Sequence, residues 1–350
     1  MDASTRTLRG PLRPLSVAPM VDRTDRHFRM VMRAVTRRTL LYTEMISVAA
    51  ALSANRERVL GFDPIERPLA LQLGGDDPRR LAEATALATE LGYDEIDLNC
   101  GCPSPRVQQG RFGVVLMTDP ERVADCVRAM REATSRPVTV KHRLGVDELD
   151  RYEDIERFVR VVAQAGADRF IVHARKAWLS GLSPKENRTV PPLRWSWVQR
   201  LKVEHPGLRV EGNGGVVSLD EAFEHLRQGL DGVMIGRAAY DDPLRFADAD
   251  ARIEAWEQGR AWAGPAAAVG VQRRVAVIES LLPYVERSVS GGGRLSGIAR
   301  HLMGLVHGLP GARGFRRVLG EHGRQAGAGV EVLERALAEL GAAGEHESTR

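Results

Sequence analysis

Ile96-Asp97-Leu98-Asn99-Cys100-Gly101-Cys102-Pro103-Ser104 reads as the end of a short β-strand running into a polar turn punctuated by glycine and proline. Arg106, Gln108, Gln109, Gly110, Arg111, Phe112 and Gly113 continue the turn, so an amide, two thiols and several cations arrive at one strand end. This strand is one of eight short apolar runs, at Leu15–Met20, Thr39–Met45, Pro68–Leu73, Glu95–Asn99, Val138–Arg143, Arg169–Arg175, Arg209–Gly212 and Gly232–Gly236. A loop and a helix-like pattern follow each run, which is the alternation of a (β/α)8 barrel. An open doubly wound sheet would carry a glycine-rich turn after its first strand, whereas this chain has Ala18-Pro19-Met20 there.

Amphipathic spacing predicts helices over Pro78–Leu91, Pro120–Thr134, Tyr152–Ala165 and Leu219–Gln228. Ser218 with Glu221 has the form of a capping box, and Gly92, Gly166 and Gly229 stand where helix C-termini want glycine. Barrel repeats stop near Pro243. Beyond it the pattern is helical, with candidates Pro243–Gln258, Gly270–Val289, Arg294–His307 and Val330–Leu340, and Gly259–Ala268 as a linker. The expected fold class is therefore α/β, a TIM barrel over residues 1–245 followed by a smaller all-α domain over 246–350, with a frayed tail after Gly341.

At 350 residues, 43% hydrophobic and 27% charged, the chain has the composition of a globular protein with a large core. No apolar run approaches the roughly 18 residues of a membrane helix, and Met1–Leu12 has no signal-like apolar core, so no membrane association and a cytoplasmic location are expected. Three cysteines do not make a disulfide framework. A Cys-x-Cys pair without two further ligands is a poor zinc site, so no metal is expected. The net charge of +4 favours a polyanionic partner only weakly, but arginines crowd the C-terminal part.

In a barrel, functional groups collect at the C-terminal ends of the strands. Pro19, Met20, Gln72, Asn99, Cys102, Lys141, Arg143, His173, Arg175, Asn213, Gly214, Gly215, Gly236 and Arg237 stand there. The glycines after strands seven and eight suit a phosphate held by backbone N–H groups, although tight turns alone would also use them. Lys141, deep at a strand end, needs an anionic or electron-rich neighbour such as a flavin's N1–C2=O edge. His173 could bond the same cofactor. Cys102, near Arg106 and Arg111, reads as a thiol able to act as an acid, and Cys100 as packing.

These residues resemble the tRNA-dihydrouridine synthases, and within them the subfamily A enzymes acting on the D-loop. The matching pieces are Ala18-Pro19-Met20, Leu41-Tyr42-Thr43-Glu44-Met45, Asn99-Cys100-Gly101-Cys102-Pro103-Ser104, Val138-Thr139-Val140-Lys141 with Arg143, the run from His173 to Arg188, Gly212-Asn213-Gly214-Gly215 and Gly236-Arg237. The resemblance implies FMN as cofactor, NADPH as reductant and tRNA, at its D-loop and elbow, as partner. It implies reduction of uridine to 5,6-dihydrouridine at U20/U20a, hydride going to C6 and a proton from Cys102 to C5. It implies that Pro19, Met20, Val21, Gln72, Lys141, His173, Asn213, Gly214, Gly215, Gly236 and Arg237 hold FMN, and that Asn99 and Arg143 hold the uracil. Lys185, Arg188, Arg300 and His301 are expected to grip the RNA, residues 106–113 to form a loop closing over the flipped base, and the protein to be a monomer. The competing reading is a small-molecule flavin oxidoreductase of the dihydroorotate dehydrogenase type; an RNA-binding module without catalysis is a third.

Overall fold

The computed structural model describes residues 8–264 and 270–347. Its strands are β1 (Leu15–Val17), β2 (Leu41–Ser47), β3 (Leu69–Gly74), β4 (Glu95–Cys100), β5 (Val138–Arg143), β6 (Arg169–His173), β7 (Val210–Asn213) and β8 (Gly232–Ile235). All pair in parallel, in the order β1-β8-β7-β6-β5-β4-β3-β2. The two ends of that order meet where Val17 N donates to Leu40 O at 2.9 Å and Leu40 N to Leu15 O at 3.1 Å. The sheet thus closes as the expected (β/α)8 barrel.

Strand periodicity sends alternate side chains to opposite faces. On β4, Glu95, Asp97 and Asn99 form one set and Ile96, Leu98 and Cys100 the other; on β5 the sets are Thr139, Lys141, Arg143 and Val138, Val140, His142. The polar sets bond across the barrel. Arg169 reaches Glu95 and donates to the Tyr42 hydroxyl at 3.1 Å, its Nε lies 3.0 Å from Glu211, and Ser16 donates to Glu211. Burial raises the Glu211 pKa. It also opposes charge on Arg169, but Glu95, Tyr42 and Glu211 outweigh it and hold the guanidinium strongly protonated.

The surrounding helices follow from local chemistry. Over Pro78–Glu90, Asp77 Oδ1 accepts from Arg79 N at 2.9 Å and Arg80 N at 3.1 Å, proline opens the first turn, and Leu81, Ala84, Thr85 and Ala88 are buried. Gly92 follows with φ +90°, and Gly166 and Gly229 play the same part after Tyr152–Gln164 and Leu219–Arg227. The expected capping box at Ser218 is half present. Its hydroxyl accepts from Glu221 N at 3.2 Å, but the Glu221 carboxylate accepts from Val217 N at 2.9 Å instead of from Ser218.

Compactness divides the chain differently from a single cut after 245. One unit comprises the chain up to Asp22 with Thr39–Gly236, and the other Arg23–Arg38 with the chain from Arg237 onward. The helix Arg26–Val35 joins the second unit because Met30 and Val31 belong to the apolar core made by Leu281, Val285, Ile298, Leu302, Phe315 and Leu333. Helices Trp195–Glu204 and Ala312–His322 are additional to those expected. The stretch Gly270–Val289 is two helices, Val271–Glu279 and Leu282–Ser290, with Pro283 in the first turn of the second. Pro243–Gln258 resolves into a 3-10 turn, Pro243–Phe246, and the helix Ala249–Glu257, while Arg294–His307 shortens to Leu295–Leu302. Of the expected linker, residues 265–269 lie outside the described residues, and the last helix, Val330–Glu347, continues through much of the expected frayed tail. Among the described residues, no helix is long and apolar enough to cross a membrane.

Candidate active site

Asn99 and Cys102 are joined through the backbone. Asn99 Oδ1 accepts from Gly101 N at 3.1 Å and Cys102 N at 3.0 Å, which fixes the turn that leaves β4. Cys102 is half-buried, whereas Cys100 and Cys126 are wholly buried. Burial raises the Cys100 thiol far above its ordinary pKa and pushes Cys126 up to about 12, so both stay protonated. Strand alternation puts Cys100 with Ile96 and Leu98, in agreement with its reading as packing.

Beside Asn99 in the register stands Lys141. Its Nζ donates to Asn213 Oδ1 at 3.1 Å, and Asn213 Nδ2 donates to Met234 O at 2.8 Å, linking β5, β7 and β8. Burial lowers the Lys141 pKa against the pull of Asp97, and burial likewise raises that of Asp97. The neighbour Lys141 needs is thus supplied in part from within the protein.

Arg143 is buried at 3% exposure, with Nε donating to Gly101 O at 2.9 Å and Nη1 to Lys176 O at 3.0 Å and Asn187 O at 2.8 Å. Burial brings its pKa down to about 10, which leaves it a cation at neutral pH. Its Nη2 has no hydrogen-bond partner among the described residues. Gln72 is also buried, and both ends of its amide are engaged: Nε2 donates to Asp97 Oδ2 at 2.7 Å and Oε1 accepts from Asn99 Nδ2 at 2.8 Å.

The glycine pair after β7 is a tight cradle. Gly214 has φ +119° and lies so close to His173 that a Cβ there would sit 2.7 Å from the imidazole Cδ2. Gly215 has φ +82° and faces Leu193, while Trp195 Nε1 donates to Gly214 O at 3.1 Å. His173, half-buried at the end of β6, therefore borders the cradle. A Cβ on Gly236 would lie 3.4 Å from the Ala18 Cβ and 3.7 Å from the Met20 sulfur, so the ends of β8 and β1 adjoin. Pro19 and Met20 are half-buried and Val21 is exposed.

Lys185, Arg188, Arg237, Arg300 and His301 lie outside the strands. Lys185 and Arg188 are exposed at the 3-10 turn Glu186–Arg188. In the second unit, Arg237 is exposed at the start of the helix Arg237–Asp241, and Arg300 is exposed but ion-paired with Asp25. His301, expected to grip RNA, has a buried side chain with Nε2 3.0 Å from Asp25 Oδ1, because the carboxylate that caps Arg26–Val35 also receives this imidazole. Burial alone would raise the Asp25 pKa, but His301, the Phe28 N–H and Arg300 hold it well below the carboxylate range.

The expected closing loop is a short helix, Pro105–Gln109, followed by a turn. Ser104 caps it, and Gln108 Nε2 donates to Pro103 O at 2.9 Å and Leu179 O at 3.0 Å. Phe112 packs into the space left by Gly74 and Gly110.

Three participants escaped the sequence reading. Asp97 accepts from Gln72 and from Thr139 Oγ1 at 2.8 Å. Asn187 is wholly buried and holds the β6 loop through Trp178 N at 2.7 Å, Trp178 O at 3.0 Å, Leu182 O at 3.2 Å and Ser183 O at 3.3 Å. The signal that could have found Asp97 and Thr139 is the run of polar residues at alternate positions of β4 and β5, which is incompatible with an apolar barrel interior. Among the described residues, no three His, Cys, Asp or Glu side chains converge as metal ligands would.

A family model described as dihydrouridine synthase matches residues 16–340. Among similar proteins is a tRNA-dihydrouridine(20/20a) synthase of Synechocystis, 52% identical over 326 residues, covering 93% of this chain and 94% of the relative. Proteins of the same name from Xanthomonas axonopodis (52% identical, 96% of each chain) and Shewanella oneidensis (50% identical, 92% of each) match comparably. With that match spanning both the strand ends just described and the C-terminal helices, the chain belongs to the dihydrouridine synthase family of enzymes.

Proposed function

We propose that this protein reduces uridine to 5,6-dihydrouridine at positions 20 and 20a of the tRNA D-loop, in the cytoplasm, with FMN as cofactor and NADPH as reductant. What carries the reading is one arrangement: a half-buried thiol, Cys102, pinned by Asn99 beside a half-buried Lys141 and a buried Arg143, with the other two thiols buried. The relatives' names supply the tRNA positions.

The residues fit a flavin mononucleotide. Gly214 and Gly215 leave backbone approachable where side chains would fill the space, and His173 borders them. Gly236 follows β8 beside Ala18 and Met20, and Pro19, Met20 and Val21 follow β1. Lys141 offers a cation to the electron-rich ring edge. When bound and reduced, FMN supplies the hydride for C6.

The chain's own residues do the remaining work. Addition at C6 develops enolate charge through C5 and the C4 carbonyl, and an acid must protonate C5. Cys102 is that acid; its S–H bond breaks as the C5–H bond forms, and water reprotonates the thiolate. Among the described residues, Arg143 Nη2 and the second Asn99 amide N–H have no acceptor, and they serve the uracil carbonyls. The target base must leave its stack to reach them, and exposed Lys185 and Arg188 attract the surrounding phosphates.

The test is direct. The purified protein is expected to be yellow, to oxidise NADPH, and to form dihydrouridine at 20 and 20a of unmodified tRNA, while Cys102→Ala keeps its flavin and forms none. A colourless protein, or full activity in Cys102→Ala, would remove the reading or the acid respectively.

A further inference from the structure

The hydrogen bonds around Asn99 have a fixed direction from one end to the other. The N–H groups of Gly101 and Cys102 can only donate, so Asn99 must turn its oxygen to them and its amino group to Gln72. Gln72 must then present its oxygen to Asn99 and its amino group to position 97. Position 97 must therefore carry an acceptor, and it carries a carboxylate held on its other side by Thr139. The three side chains Gln72, Asp97 and Thr139 occupy directly paired positions of β3, β4 and β5. Among the described residues Gln72 Nε2 has no hydrogen-bond acceptor besides Asp97, and Gln72 and Asp97 are both 1% exposed or less, so water does not substitute readily.

We propose that Asp97 is a positioning residue for the proton donor, acting through Gln72 and Asn99 to hold the Cys102 backbone in place. The inference rests on the proposed reaction for its kinetic consequence, but the structural relay stands without it. Removing the acceptor leaves Gln72 free to turn over. A turned Gln72 confronts the Asn99 amino group with its own, Asn99 turns in response, and the N–H groups of Gly101 and Cys102 lose their acceptor together. The defect is transmitted across three side chains to a residue that Asp97 does not touch.

Asp97→Ala and Asp97→Ser break the relay; Asp97→Asn can keep it, because its oxygen can face Gln72 while its amino group meets the Thr139 hydroxyl, which accepts as well as donates. Two readouts are taken on each variant. The first is the alkylation rate of the folded protein by iodoacetamide, which reports on Cys102 because Cys100 and Cys126 are buried. The second is single-turnover kinetics, in which reduction by NADPH and reoxidation by tRNA are measured separately.

For Asp97→Ala and Asp97→Ser the alkylation rate is expected to change several-fold. Reoxidation by tRNA should slow about a hundredfold, as displaced reacting groups do, with KM for tRNA and reduction by NADPH little altered. Asp97→Asn should restore both readouts nearly to wild type. Wild-type alkylation and reoxidation in the breaking variants would overturn the proposal, as would an Asp97→Asn as impaired as they are. Should wild type form no dihydrouridine, the proposed function fails by itself, and alkylation still decides the relay.

Discussion

Lys141 Nζ and Asn213 Oδ1 meet at 3.1 Å, so a strand-five cation and a strand-seven amide share the mouth of one barrel. Neither neighbours the other in sequence or in the sheet. Closure of the barrel brings them together, and the glycine cradle that follows Asn213 is set by the same closure.

Replacing Lys141 by Met should reduce flavin retention at least tenfold, since one desolvated ion contact is worth about 1.5–3 kcal/mol. The wild-type affinity should fall as pH rises through the lysine's lowered pKa, because its positive charge is lost there, while Lys141→Met should titrate flat in that range. Fluorescence of free FMN after gel filtration across pH measures both.

Gly214→Ala should weaken flavin binding and lower thermal stability, because the new methyl meets His173 and φ +119° is strained for any side chain. Gly181→Ala is the comparison. Its φ is +80° with nothing within 4 Å of the new methyl, so only the backbone cost of about 1 kcal/mol should appear in its melting curve.

His142 is wholly buried against Phe158 and Phe170, and burial lowers its pKa to about 4. Between that value and the ordinary 6.5 the unfolded chain binds the proton that the native imidazole refuses, so stability falls as pH falls through this window. The contribution is on the order of 3 kcal/mol, from the difference between the native value near 4 and the ordinary 6.5. Urea unfolding of His142→Leu should show a correspondingly shallower decline from pH 6.5 to 4 than wild type.

Asn187→Ala should cost roughly 2–4 kcal/mol, because it removes a wholly buried amide that holds several part-buried backbone groups of the β6 loop at once. The loop carries Lys185 and Arg188, so KM for tRNA should rise more than kcat falls. Limited proteolysis between 178 and 190 would locate the loosening.

Most of the barrel was legible in the sequence because its determinants are local. Eight apolar runs, helix-forming stretches between them and glycines at helix ends each act within a few residues. The same locality placed Asn99, Cys102, Lys141, Arg143 and His173 at strand ends, where they stand. The helix Arg26–Val35 could not be assigned to its core in this way, since whether Met30 and Val31 pack with Ile298 and Leu302 depends on residues more than 260 positions away.

What the sequence by itself determined is which chemical groups the barrel mouth receives. A strand's end and a turn's Gly101 and Pro103 are properties of short segments, and they separate Cys102, beyond β4, from Cys100, its last residue. Only the tertiary structure decided how those groups are held. The partners of Gln72 and Asn99, the burial of His301 on Asp25 and the clasp of Arg143 by three carbonyls are long-range hydrogen bonds. Their geometry exists once the sheet has closed and water has left, because a buried polar group must then find its partner inside the protein.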